Sequence, residues 1–208
     1  MKIPLYQIDA FASRLFEGNP AAVCPLEKWL PDAVMQSLAT ENNLSETAFF
    51  VPVSDGFHIR WFTPVSEVDL CGHATLASAY VLFDTLGCND DEIAFHSRSG
   101  ILTVTRKEEW LVMNFPRQPP LPCKMPSELI DAFDKVPVEC LKAEDLIVVF
   151  EDEIDVESAR PDMGRLLKLD SRGVIITSRS TRFDFVARFF APKYGIPEDP
   201  VTGSAYTQ

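Results

Sequence analysis

Arg60-Trp-Phe-Thr-Pro64, followed by Asp69-Leu-Cys-Gly-His-Ala74, is the stretch on which the fold turns. It returns as Arg188-Phe-Phe-Ala-Pro192, followed by Asp199-Pro-Val-Thr-Gly-Ser-Ala205. Each copy reads as an apolar strand, a proline break, a loop carrying an acid, and a glycine that opens a helix. Gly203 and Gly72 are 131 residues apart, and Pro192 and Pro64 are 128 apart. The upstream segments match as well. Pro-Asp-Ala-Val-Met starts a helix at Pro31 before the strand Thr-Ala-Phe-Phe-Val, and Pro-Asp-Met-Gly-Arg starts one at Pro161 before Val-Ile-Ile-Thr. Proline in the first helical turn is the expected start signal. Two pairs at nearly one offset point to an internal duplication.

Outward from that stretch, residues 1–115 read as a complete first half. Strands are expected at Pro4 to Phe11, Ala21 to Cys24, Thr47 to Val53 and His58 to Phe62, with a helix from Pro31 to Asn42. A second helix runs from His73 to Leu86 and stops at Gly87, a common helix terminator. Strands near Ile93 to Ser97, Gly100 to Arg106 and Trp110 to Asn114 close the half. The proline-rich run of residues 116–127 is expected to be a linker. The second half, 128–208, carries a strand from Asp145 to Phe150. After its Gly-Ser turn the chain offers only four more residues, Ala205 to Gln208. By the repeat, this half is expected to lack its last helix and closing strands, on the order of 40 residues.

Composition narrows the function. The 208 residues carry a formal net charge of -12 and are 46% hydrophobic. A basic footprint for nucleic acid or an anionic membrane surface is missing, and the longest apolar runs fall short of the ~20 residues of a membrane span. The N-terminus reads directly into a strand rather than into an apolar signal core. Five cysteines without a Cys-x-x-Cys spacing fit reduced thiols in a cytoplasmic protein.

The chemistry has several candidate carriers. Cys71 and His73, with Asp69 as a third donor, fall short of the four ligands zinc usually takes, so no metal is expected. A Cys71/His73 nucleophilic pair is disfavoured, because i, i+2 neighbours at a helix start rarely align; the plainer reading of Cys71 is a small buried hydrophobe. Gly72 and Gly203 each open a helix whose first N–H groups lack internal acceptors, so both turns suit an anion such as a substrate carboxylate. Each glycine equally serves to close a tight turn. Glu46 sits at the mouth of an apolar strand, a setting that pushes a carboxyl toward the neutral range a general acid/base needs. The matching region of the second half has Arg172-Gly173 and no acid. A solvated glutamate in a helix-to-strand turn is the plainer alternative.

Taken together, Asp9-Ala-Phe, Gly18-Asn-Pro-Ala-Ala-Val, Asn43-Leu-Ser-Glu-Thr, Phe62-Thr-Pro, Leu70-Cys-Gly-His-Ala-Thr, Arg188-Phe-Phe-Ala-Pro and Glu198-Asp-Pro-Val-Thr-Gly-Ser-Ala resemble the PhzF-like phenazine-biosynthesis family. The resemblance implies an α+β fold like that of diaminopimelate epimerase, two pseudo-symmetric halves that are each a curled mixed sheet around a central helix. It implies a cofactor-independent isomerase, commonly a homodimer, acting on a small carboxylate-bearing metabolite in a cleft between the halves. By position it makes Glu46 the acid/base and His73 and Asp199 further catalytic residues, and it assigns Gly72, Gly203 and Ser204 to substrate binding. Related racemases use one thiol per half; Cys71 occupies the first place, but the second half offers Thr202 or Gly203. Tyr206 also stands where the family has a histidine. Two other readings follow: a Cys71-based epimerase, and a non-catalytic small-molecule-binding protein.

Overall fold

A computed structural model describes the chain apart from Met1, Leu15 and Pro116. Met1 and Pro116, the first residues of the expected first half and of the expected linker, lie outside the described residues. The chain divides into two compact units, Met1–Pro116 and Arg117–Gln208.

The first unit runs β1 (Tyr6–Ala10), β2 (Asn19–Pro25), α1 (Asp32–Asn42), β3 (Glu46–Val53), β4 (Gly56–Phe62), β5 (Glu67–Val68), α2 (Gly72–Tyr80), β6 (Glu92–Ser97), β7 (Gly100–Lys107) and β8 (Trp110–Met113). Its strands form one sheet in the order β1-β2-β3-β4-β6-β7-β8, with β5 on β4. The sheet is mixed, since β2–β3 and β4–β6 are parallel and the other pairs antiparallel. Alternation along β3 serves two layers. Ala48 and Phe50 join the core around α2, while Phe49 packs with Met35 and Ala39 of α1. The helix α2 is buried on nearly all sides, and its alanines let strands carrying Trp61, Phe95 and Val104 close on it. Inside that core the Thr75 and Ser78 hydroxyls donate to the Cys71 and Ala74 carbonyls, so no polar atom of theirs is wasted. The helix continues as a five-residue π turn, Val81–Thr85, and stops at Gly87.

The second unit runs β9 (Leu121–Pro122), α3 (Ser127–Ile130), β10 (Glu139–Lys142), β11 (Leu146–Val149), α4 (Glu153–Ser158), α5 (Met163–Leu166), β12 (Val174–Arg179), β13 (Phe185–Ala191) and β14 (Ile196–Asp199). The strands lie in the order β14-β13-β12-β11-β10-β9. Pairing senses from β10 to β14 repeat those from β1 to β5: antiparallel, parallel, antiparallel, antiparallel. Among the described residues this unit has no counterpart of α2 and β6 to β8.

The duplication extends to side-chain geometry. Arg60 clamps Glu67 through both carboxylate oxygens, at 2.7 and 2.8 Å, and lies over Phe62. Arg188 clamps Glu198 at the same two distances and lies over Phe190. The acid shared by the copies is therefore Glu67/Glu198. Asp69 and Asp199, paired on sequence alone, are not equivalent: Val68 faces Trp61 where Asp199 faces Phe189. A loop one residue longer or shorter shifts such a match without changing composition, which is why the spacing misled.

Three other expectations change. The proline-rich run is not a free spacer, because Leu121 and Pro122 pair with Lys142 and Leu141. A proline fits there since β9 is an edge strand, where its missing N–H breaks no inner ladder. The helix expected from Pro161 is a single turn, Met163–Leu166. The segment opened by Gly203 is a short 3-10 turn, Gly203–Thr207.

Candidate active site

Three backbone segments meet at one end of α2 in the first unit. The parallel strands β2 and β3 start side by side, with Ala21 opposite Glu46, so Asn19, Pro20 and Glu46 lie at the same sheet end. The third segment is Cys71-Gly72-His73. Cys71 is extended, at φ -148° and ψ 113°, and caps α2 without a side-chain hydrogen bond to the helix.

His73 is the hub. Its Nδ1 lies 3.5 Å from Cys71 Sγ and 3.4 Å from Asn19 Nδ2, while Nε2 lies 3.4 Å from Glu46 Oε2. Burial drives the His73 pKa down from 6.5 to about 4, against the weaker opposing effect of a hydrogen bond that the ring donates to the Pro20 backbone. Imidazole, not imidazolium, is the form at neutral pH. The disfavoured Cys71/His73 contact thus exists. The i, i+2 rule holds inside a helix, but here one partner precedes the helix in extended backbone and its thiol turns back on the ring.

Glu46, Cys71 and His73 are all buried, and their ligand atoms lie within 4.8 Å of one another. The triplet considered from sequence had Asp69 as the third donor. That residue is exposed and paired with Arg98, so the third donor beside Cys71 and His73 is Glu46. At Gly72 an added Cβ would come within 2.9 Å of the Phe115 ring. Close packing of Phe115 therefore demands glycine at this position in its own right.

The remaining candidates lie in the second unit. Asp199 ends β14, is buried, and accepts a hydrogen bond from the Thr202 hydroxyl. The Ser204 hydroxyl is 3.0 Å from Arg172 Nη2. Arg172 also binds the fully buried Asp145, and the Gln208 amide donates to Asp145 Oδ2 at 2.8 Å. Burial opposes the Arg172 charge, but the Asp145 carboxylate overrides it and raises the guanidinium pKa. Asp145 and Arg172 thus brace the Gly203–Ser204 turn. Sequence reading gave no role to either, nor to Asn19; Asp145 follows Glu144 at the head of an apolar strand, and nothing in that spacing marks which of the two acids is buried.

Arg172-Gly173 does fall opposite Glu46 in the repeat, and the structure shows why no acid stands there. A Cβ on Gly173 would lie 2.4 Å from the Phe189 ring. That aromatic ring fills the space which, in the first unit, belongs to a carboxylate.

The chain matches the model of phenazine biosynthesis-like proteins over residues 8–208. A Pseudomonas aeruginosa protein named as an uncharacterized isomerase is 51% identical over 207 residues, which span the whole chain and 80% of that protein. A crystal structure of a PhzF-family phenazine biosynthesis protein from Enterococcus faecalis superposes with a TM-score of 0.93 at 48% identity, covering the whole chain and 80% of its own. A probable proline racemase from Agrobacterium radiobacter, at 9% identity, shares the fold with a TM-score of 0.60, over 96% of this chain and 73% of its own.

Proposed function

The chain belongs to the phenazine biosynthesis-like family and is an isomerase, and from that premise we propose that it moves a proton between positions of a small carboxylate-bearing metabolite, with Glu46 as general acid/base and no cofactor. The observation that carries this reading is the buried Glu46 carboxylate facing a neutral imidazole at 3.4 Å. An imidazolium at that distance would stabilise the carboxylate and blunt its basicity. The neutral ring lies against Glu46 without adding a charge and so leaves its basicity in place. The carboxylate takes a proton from carbon, holds it as a carboxylic acid, and returns it to another carbon. The net change is redox-neutral, so one acid/base group suffices.

His73 serves as orienting group or proton relay. The α2 start at Gly72 provides unsatisfied N–H groups for a substrate carboxylate. In the second unit, Asp199 is proposed to orient substrate, and the Gly203–Ser204 turn to bind it. No helix among the described residues is long and apolar enough to cross a membrane. A cytoplasmic homodimer is proposed as the working form, on the reduced thiols and the family resemblance.

The decisive experiment is turnover of a panel of cyclic and unsaturated carboxylates in D2O, reading deuterium incorporation by mass spectrometry. Glu46→Gln is expected to slow exchange by roughly 10²–10⁴-fold, the usual contribution of a positioned acid/base. Undiminished exchange would sink the role of Glu46. The Cys71–His73 contact supports a second reading, a Cys71-based epimerase, in which Cys71→Ser would abolish exchange while Glu46→Gln leaves most of it. If no panel member exchanges or binds, the binding-protein reading fails as well.

A further inference from the structure

We propose that Glu46, Cys71 and His73 form a binding site for a soft divalent cation of the Zn2+ class, an inhibitory ligand that competes with substrate. The proposal rests on donor chemistry and holds whichever residue serves as the acid/base.

The three side chains supply one oxygen, one sulfur and one nitrogen, all buried, with ligand atoms within 4.8 Å of one another. Around a tetrahedral zinc ion with ordinary bond lengths, neighbouring donors stand about 3.3–3.6 Å apart. The observed separations are 3.5 Å from Cys71 Sγ to His73 Nδ1 and 3.4 Å from Glu46 Oε2 to His73 Nε2. Thiol and carboxylate face different ring nitrogens, so an ion takes one nitrogen and the farther side chain closes by on the order of 1 Å. The backbone permits that closure, since Cys71 lies before the helix and is not locked into its hydrogen-bond ladder.

Donor softness sets the selectivity. Magnesium and calcium take oxygen ligands, whereas a thiolate with an imidazole selects zinc, cobalt or copper. On binding, the thiol releases its proton and the sulfur–metal bond forms in its place. Thiolate and carboxylate together balance the two positive charges, which offsets the cost of placing a cation in a buried site. Three protein ligands leave a fourth position for water or for a substrate carboxylate. A loaded site holds Glu46 and His73 on the metal, away from the reacting carbon.

The test is an anaerobic titration of the whole chain with CoCl2. A saturable thiolate-to-cobalt charge-transfer band in the near ultraviolet is expected, bleached by added ZnCl2 and lost in Cys71→Ser. The double variant Cys123→Ser/Cys140→Ser should keep the band, which separates this one-thiol site from the Cys123–Cys140 thiol pair. Glu46→Gln should weaken cobalt binding about tenfold or more. Absence of a saturable band, or its survival in Cys71→Ser, overturns the proposal. Should Cys71→Ser fail to fold by circular dichroism, unchanged cobalt affinity in a folded Glu46→Gln protein overturns it equally.

Discussion

His73 shows what burial does to a single residue. Its folded pKa of about 4 lies below the 6.5 of the exposed side chain. Between those values the unfolded chain takes up a proton that the folded chain refuses. Stability is therefore intact above about pH 6.5 and falls as pH drops toward 4, by at most about 3 kcal/mol. Urea melts at pH 7 and pH 5 should show this loss, and His73→Gln should flatten it; an unchanged pH slope in the variant would refute the assignment. Gly173 carries a second prediction at this scale. An alanine methyl there meets the Phe189 ring at 2.4 Å, so Gly173→Ala should cost about 1–3 kcal/mol. The double variant with Phe189→Leu should recover part of it, as read by thermal denaturation. Glu46 was legible because its motif abuts an apolar strand. The Cys71–His73 contact was not, since it depends on a backbone change between the two residues that a residue spacing does not encode.

Between elements, the repeated arginine clamps do the fastening. Arg60 ties β4 to β5 through Glu67. Arg188 makes the same clamp to Glu198 and also donates to the Val156 and Ala159 carbonyls at the end of α4, at 2.9 and 2.8 Å. Removing Arg188 strands more acceptors than removing Arg60. We expect Arg188→Ala to cost about 2–3 kcal/mol, more than Arg60→Ala, and Arg188→Lys to rescue little because lysine lacks the planar fork. Chemical denaturation of the three variants decides this, and equal losses would refute it. Just after β9 and on β10, Cys123 and Cys140 face each other with sulfurs 3.3 Å apart, and burial pushes the Cys140 thiol pKa up to about 12. Cys123 should attack oxidised glutathione, releasing one thiol; Cys140 should then displace the second and close a disulfide. Peptide mapping checks the pair, and a different cysteine pairing would refute it. The strands and their prolines were readable from turn residues and β-branched runs. The short β9 was not, because proline density signals a spacer and only pairing with β10 makes it a strand.

At the scale of the whole molecule, the two units share a five-strand plan but differ in how it is closed. In the first, α2 and three further strands complete a core built on Trp61, Phe95 and Val104. In the second, the face bearing Ile147, Ile175 and Phe189 has a much smaller cluster, and its last segment is a 3-10 turn. Hydrogen exchange should accordingly be slowest in α2 and β3 and fast in β14 and residues 203–207; comparable protection in both sets would contradict this account. The sequence by itself determined the duplication, the order of most strands, the family and the place of Glu46 at the head of an apolar strand, because these rest on local patterns of apolar, turn and motif residues. The tertiary structure alone decided which acids are equivalent, that His73 is neutral and touches Cys71, Asn19 and Glu46 at once, and that Phe189 takes the place of a second carboxylate. Each depends on strand register and burial, which join residues far apart in the chain and set their charge by excluding water.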